Sequence, residues 1–284
     1  MVLLIGNMNY FERAKYFRTK KRLGQNFLID GEVIADIIDY ADISSEDTVV
    51  EIGPGVGFVT EQLIKHAKKV IVIELDEEAI KELEKLDAPN LEIIHADILK
   101  TDLAALCDGE FKVVANIPYY ITSPIIAHLL GEVDDLNNKN RAKIKDIILM
   151  VQEEVARRMC ANENSPSKQY GLLTMLSQFW ADVSILRLVG RKAFYPAPKV
   201  NSALVKLVVR KEPKLKLTDY SNFRKTVRAG FAHRRKNIKN CLINGGFPKN
   251  KVLEALKNLE IDENTRGEKL SIETFGKLSE ELLK

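Results

Sequence analysis

Apolar residues recur along the first two-thirds of the chain in two alternating periods. Val33, Ile34, Ile37, Ile38 and Ala41 fall at helical spacing and predict a helix over 31–42. Thr48-Val-Val-Glu-Ile52 is a short β-branched run that predicts a strand, with an amphipathic helix after it to about residue 68. Strands are predicted again at 70–73, 91–95, 111–115 and 144–150. A helix follows the first of these through about residue 86, and another, 152–159, follows the last. Asp134 to Lys145 is charged and asparagine-rich and reads as a solvated connection, and 162–169 as a polar loop. The helix beginning near Tyr170 offers Leu172, Leu173, Leu176, Phe179 and Trp180 to a core. Residues 183–188 and 202–209 form a closing hairpin pair. Strands alternating with helices at this interval predict a mostly parallel sheet with right-handed crossovers, a Rossmann-like α/β fold. After Lys211-Glu212-Pro213 the strand signals stop, and 219–284 alternates helical runs with Asn244-Gly-Gly246 and Pro248. The expected domains are therefore 1–211, opening on a basic arm within 1–30, and a small all-helical domain at 212–284 with Phe223, Val227, Phe231 and Ile238 inward.

Ligands in such sheets bind beyond the carboxyl ends of the strands, and there the chain carries its chemistry. The first strand runs into Glu51-Ile-Gly53-Pro-Gly55-Val-Gly57, whose glycines permit a tight turn and close approach of a ligand. Glu74 ends the second strand, where a carboxylate can accept ribose hydroxyls. The spacing GxGxG with Pro54 inside is not that of a nicotinamide dinucleotide site. Glu51 would repel a pyrophosphate, whereas it would welcome a cationic sulfonium cofactor. Asp97 follows the third strand and reads either as an acceptor for an adenine amino group or as a helix cap. The fourth strand ends on Asn116-Ile-Pro118-Tyr119. Here a carboxamide oxygen and the Pro118 carbonyl can accept both hydrogens of a planar exocyclic amine, and Tyr119 can stack on the base. Phe194, beside Pro196 and Pro198, is the candidate for the second aromatic face, with a core aromatic as the equal alternative.

Composition places these residues in an ordinary globular chain: 284 residues, 45% hydrophobic, formal net charge +3. No apolar run is long enough to cross a bilayer, and the opening Met1–Ile5 is too short for a signal peptide, so a cytoplasmic protein is expected. Cys107, Cys160 and Cys241 are widely spaced, which indicates neither a disulfide framework nor a metal site. Charge is unevenly spread. One acid-free basic run contains Arg18, Lys20, Lys21 and Arg22, and a second contains Arg228, Arg234, Arg235 and Lys236. Either run alone reads as a solvated face; two of them flanking an adenine-like socket suggest a held polyanion.

The series Gln25-Asn26-Phe27-Leu28, Glu51-x-Gly53-x-Gly55-x-Gly57, Glu74, Asp97, Asn116-Ile-Pro-Tyr119 and Phe194-Tyr-Pro196-Ala-Pro198-Lys-Val200 resembles the ribosomal RNA adenine dimethyltransferases. The likeness runs from about residue 18 to at least 240. It implies a class I methyltransferase sheet with S-adenosylmethionine over the glycine loop. Contacts are then expected from Asn26, Leu28, Gly53, Gly55, Glu74 and Asp97, with Asn116 bridging cofactor and target base. It also implies dimethylation of N6 on two adjacent adenosines in the 3′-terminal hairpin of small-subunit ribosomal RNA, within an immature subunit, by a monomer without a metal. Two alternatives stay open: methylation of large-subunit RNA, and a non-catalytic RNA-binding assembly factor on the same fold.

Overall fold

A computed structural model describes residues 10–17, 19–20, 24–118, 121–166 and 168–284. Arg18, Lys21, Arg22 and Tyr119 lie outside the described residues. The elements in order are α1 (Tyr10–Tyr16), β1 (Phe27–Leu28), α2 (Gly31–Ala41), β2 (Thr48–Ile52), α3 (Thr60–His66), β3 (Lys69–Glu74), α4 (Glu77–Glu84), β4 (Leu91–His95), α5 (Leu103–Leu106), β5 (Phe111–Asn116) and α6 (Thr122–Leu130). Then come α7 (Lys139–Lys143), β6 (Ile144–Gln152), α8 (Glu153–Met159), α9 (Leu172–Trp180), β7 (Ala181–Val189), β8 (Phe194–Tyr195), β9 (Ser202–Val209), α10 (Tyr220–Phe231), α11 (Ile238–Asn244), α12 (Lys249–Asn258) and α13 (Ile272–Glu281).

Seven strands form one sheet in the order β4-β3-β2-β5-β6-β9-β7. From β4 to β6 every neighbouring pair is parallel, as the strand–helix alternation predicts. The central strands are buried along nearly their whole length, since helices cover both faces of a parallel sheet. Strand order reverses at β2, which lies between β3 and β5, so the crevice of this sheet opens beyond the ends of β2 and β5. At the far edge β9, last in sequence, enters between β6 and β7 and completes the expected closing pair.

A second sheet has two strands of two residues each. β1 pairs antiparallel with β8, Phe27 opposite Tyr195 and Leu28 opposite Phe194, so two motifs far apart in sequence lie side by side. Phe27, Leu28 and Phe194 are buried in a cluster with residues of α2, α3 and the central strands.

Spatial clustering separates two units, one of 1–125, 143–153 and 184–207, the other of 126–142, 154–183 and 208–284. The first carries the sheet's central strands. In the second, α10 to α13 pack around Phe223, Val227, Ile238, Leu242, Leu256, Phe275 and Leu278, all buried. Phe223 stacks on Phe179 of α9 at 5.3 Å between ring centroids. Leu172, assigned to the core from its spacing, is 47% exposed, while Leu173, Phe179 and Trp180 are buried as expected. The 134–145 segment is more than a solvated connection. It holds α7, where Arg141 is 2% exposed. Its guanidinium lies 3.4 Å from the Trp180 ring and donates to the carbonyls of Leu130 and Leu136. Burial lowers its pKa to about 10. Among the described residues no helix is long and apolar enough to cross a membrane.

Candidate functional site

The turn after β2 takes its shape from three glycines in the left-handed region, Gly53 (φ 66°), Gly55 (φ 57°) and Gly57 (φ 83°). At Gly55 a side chain would also have no room, because an added Cβ would stand 2.7 Å from the Phe27 ring. The Gln25–Leu28 motif is therefore seated directly against the glycine loop. Glu74, at the end of β3, fastens that loop: its Oε2 accepts the Gly55 amide at 3.0 Å. Its Oε1 accepts the amides of Leu75 and Asp76 at 2.7 and 2.9 Å. Three of a carboxylate's roughly four acceptor positions are thus used, and one on Oε2 remains for a ligand hydroxyl. Burial raises the pKa of Glu74 against the opposing effect of these amides.

Glu51 lies below the loop, 3% exposed, and accepts the Thr60 hydroxyl at 2.6 Å. Burial pushes its pKa to about 8, the Thr60 hydrogen bond works against that shift, and the neighbouring Glu74 adds to it. Asp97 is a helix cap that also lines the cleft. Its Oδ1 caps the short helix Ile98–Lys100 through the Leu99 amide at 3.0 Å.

Across the cleft, at the end of β5, the side-chain nitrogen of Asn116 donates to the main-chain carbonyl of Asn26 at 3.2 Å. A carbonyl only accepts, so the amide must present its nitrogen there and keep its oxygen for another partner. Asn26 is itself held by a bond from its side chain to the Gly24 carbonyl at 2.9 Å. The Pro118 carbonyl accepts the Ile121 amide at 3.2 Å, which leaves it one lone pair where the sequence suggested a free acceptor.

Together these elements enclose a cleft of about 1070 Å³, open to solvent, at the strand-order reversal. Asn26, Leu28, Gly53, Gly55, Glu74, Asp97, Asn116 and Pro118 all line it. Three carboxylates, Glu51, Glu74 and Asp97, border it with no lysine, arginine or histidine among the lining residues. That set of acceptors suits a ligand bearing a positive charge and disfavours a pyrophosphate. A sulfonium nucleoside such as S-adenosylmethionine fits it: hydroxyls toward Glu74, an amino group toward Asp97, and a cationic centre among acids.

Not every expected residue arrives here. Phe194 is 2% exposed in the core beside Leu28 and does not line the cleft, so its burial favours the core-aromatic reading over the base-stacking face. Lys20, expected on RNA, is turned to Asp76 instead. Its ammonium lies 2.5 Å from Asp76 Oδ1, and Gln25 donates to Oδ2 at 2.7 Å. Gln25 also accepts the Lys20 amide at 2.7 Å. Asp76 is 2% exposed, and these partners outweigh burial to hold its carboxyl below the usual range. This network clamps the segment before β1 onto the end of β3. Only Asp76's place two residues after Glu74 hinted at it. Arg228 pairs with Glu132 at 3.1 Å, whereas Arg234, Arg235 and Lys236 are exposed and engaged in no ion pair among the described residues.

Comparison with known proteins accords with this geometry. The family model described as "Ribosomal RNA adenine dimethylase" matches residues 16–284. "Ribosomal RNA small subunit methyltransferase A" of Bacillus licheniformis is 43% identical over 278 residues, 94% of this chain and 92% of that protein. Among solved structures, a dimethyladenosine transferase from Plasmodium falciparum superposes with a TM-score of 0.72 at 31% identity, covering 88% of this chain and 94% of that one. The 23S rRNA methyltransferase ErmE gives 0.68 at 29% identity, covering 91% and 100%.

Proposed function

The chain belongs to the ribosomal RNA adenine dimethylase family, and we propose that its cleft binds S-adenosylmethionine and directs methylation of N6 on two adjacent adenosines in the 3′-terminal hairpin of small-subunit ribosomal RNA. It is an S-adenosylmethionine-dependent rRNA adenine dimethyltransferase. The observation that carries the reading is the tie of Asn116 to Asn26: one N–H of the amide is taken by the Asn26 carbonyl, and the side chain lines the cleft with its oxygen still able to accept.

S-adenosylmethionine, when bound, supplies an activated methyl group for in-line displacement. The residues that would hold it are Asn26, Leu28, Gly53, Gly55, Glu74 and Asp97, with Asn116 between it and the base. The lone pair of an adenine N6 is delocalised into the ring. Hydrogen bonds from N6 to Asn116 Oδ1 and to the remaining lone pair of Pro118 O draw the nitrogen toward sp³ geometry and localise that pair. Alignment and exclusion of water supply most of the remaining rate, and no strong base is required because the alkylated nitrogen loses its proton to water. After the first transfer one N–H remains, so Asn116 alone must suffice. Tyr119 is the expected stacking face for a base that has left its helix.

The small subunit is favoured over the large because the 43%-identical Bacillus relative carries the small-subunit name, while ErmE stands at 29%. The working form is a cytoplasmic monomer acting on immature subunits, with Arg234, Arg235 and Lys236 on phosphates. Incubating the protein with methyl-labelled cofactor and immature small subunits, followed by mass mapping of the RNA, tests the assignment. Two dimethylated adenosines near the 3′ end are expected. Label confined to large-subunit RNA, or undiminished by Asn116→Ala, would refute it.

A further inference from the structure

The second unit carries a pocket that methyl transfer does not use. It lies where α8 and the segment 168–172 meet the end of α10 and the turn at Gly267, and encloses about 570 Å³ open to solvent. Four basic side chains border it, Arg158, Lys168, His233 and Arg234, against one carboxylate, Glu268. Among the described residues none of the four basic side chains is engaged in an ion pair, although elsewhere in the second basic run Arg224, Arg228 and Lys239 each hold an acid. Its walls also include Tyr170, 5% exposed, whose hydroxyl donates, among the described residues, to the Met175 sulfur at 3.9 Å, a weak acceptor.

An unpaired cation on a convex surface is adequately solvated and needs no ligand. Several converging on a concavity repel one another in a setting that water screens less well, and an anion relieves that repulsion. The cleft in the first unit is its inverse, bordered by carboxylates with no cation. We propose that this pocket is a second ligand seat, built for a phosphate group carried either by the RNA backbone or by a free phosphate compound. The backbone arm rests on the RNA-methyltransferase reading; the free-phosphate arm does not. A phosphate seated there would accept from Arg158, Lys168 and Arg234, with His233 and the Tyr170 hydroxyl as further donors.

Two variants separate a seat from diffuse charge. Arg158→Glu with Lys168→Glu inverts the charge. Gly171→Phe leaves every charge in place and occupies space, since a Cβ at Gly171 meets nothing within 4 Å and the backbone there is extended. On the full chain, inorganic pyrophosphate is titrated while the His233 imidazole NMR signals are followed, and binding of a transcript of the 3′-terminal small-subunit hairpin is measured against salt. If the backbone is the source, both variants weaken transcript binding, the charge variant about tenfold with a salt slope shallower by about 1–2. Pyrophosphate then shifts His233 in the wild type and not in Gly171→Phe. If only the pyrophosphate response is lost, with transcript affinity unchanged, the seat holds but serves free phosphate compounds. Absence of any His233 response, together with transcript binding that Gly171→Phe leaves intact, overturns the proposal even if charge reversal weakens binding. Cofactor affinity, and methyl transfer at saturating RNA, are expected to be unchanged in both variants. Failure of the wild type to methylate would count against the enzymatic reading and not against the seat.

Discussion

Asn116 and Asn26, ninety residues apart, meet through one hydrogen bond of 3.2 Å from side-chain nitrogen to main-chain carbonyl. The bond joins the end of β5 to the segment entering β1, and it fixes the carboxamide with its nitrogen on the Asn26 carbonyl. Removing the amide removes an acceptor that acts where the substrate nitrogen pyramidalises. Asn116→Ala should lower kcat by about 10²–10³ in single-turnover assays. Asn26→Ala keeps the main-chain carbonyl and loses only the tie to Gly24. It should therefore weaken cofactor binding and leave kcat at saturation nearly intact; equal loss of kcat in both would contradict this division.

Gly55 carries two independent constraints, a φ of 57° and the Phe27 ring. Gly55→Ala should cost about 1–3 kcal/mol of stability, read by thermal denaturation. The backbone part is fixed, but the steric part is not. Phe27→Leu in the same chain should recover some of the stability, and complete recovery would show that the left-handed conformation contributes nothing.

How far the sequence discloses all this depends on the range of the signal. Parallel strands, the glycine turn and the acids at successive strand ends are local patterns, and each lies where its pattern predicts. The β1–β8 pair has only two residues per strand and 165 positions between Leu28 and Phe194. No periodicity can report it, and the choice between core and base face for Phe194 depended on it. Arg141 sits in a polar, asparagine-rich stretch whose composition reads as solvent. It is buried because the face of Trp180 and two carbonyls, all distant in sequence or set by the turn, complete its environment. Lys20 belongs to a basic run whose composition suggests RNA, and a single buried aspartate redirects it. Composition registers how many charges there are; tertiary contacts determine which are free.

Glu51 should make both stability and cofactor binding depend on pH. Burial raises its pKa from 4.5 to about 8 in the folded chain. Between those values the folded state keeps the proton and the unfolded state does not. Glu51's contribution to stability is thus full below about 4.5, declines as pH rises, and levels off above about 8. Glu51→Gln should flatten the decline in thermal melts taken from pH 5 to 9. Binding a cation beside Glu51 favours its ionised form. Calorimetry near pH 7 in buffers of different ionisation enthalpy should then show proton release on binding S-adenosylmethionine, and little on binding its neutral demethylated product. Equal release for both ligands would exclude Glu51 as the partner of the sulfonium.

Among the described residues Arg234 and Arg235 are exposed and in no ion pair, so reversing both charges removes phosphate partners without breaking an ion pair seen there. Arg234→Glu with Arg235→Glu should weaken binding to small-subunit RNA, reduce the magnitude of the salt slope by about 2, and leave cofactor affinity unchanged. Loss of cofactor affinity in filter or calorimetric assays would mean that the two binding functions are not separable.

Lys20 provides the opposite case, a basic residue whose expected partner was RNA and whose structural partner is Asp76. The bond at 2.5 Å ends on a carboxylate that is 2% exposed, and Gln25 completes the same clamp. Lys20→Ala would leave Asp76 buried and short of a cation, and would free the segment that positions Asn26 for Asn116. The expected result is weaker S-adenosylmethionine binding and a higher KM for the cofactor, with the salt slope for RNA unchanged. Asp76→Asn should resemble it, because an oxygen in the Oδ1 position can still accept the Glu78 amide, while the ion pair is lost and the Gln25 donor faces an amide nitrogen. The two substitutions share one partnership, so together they should cost little more than either alone. Additive losses in the double variant, or a salt slope that falls by about 1 in Lys20→Ala, would return Lys20 to the RNA-binding face.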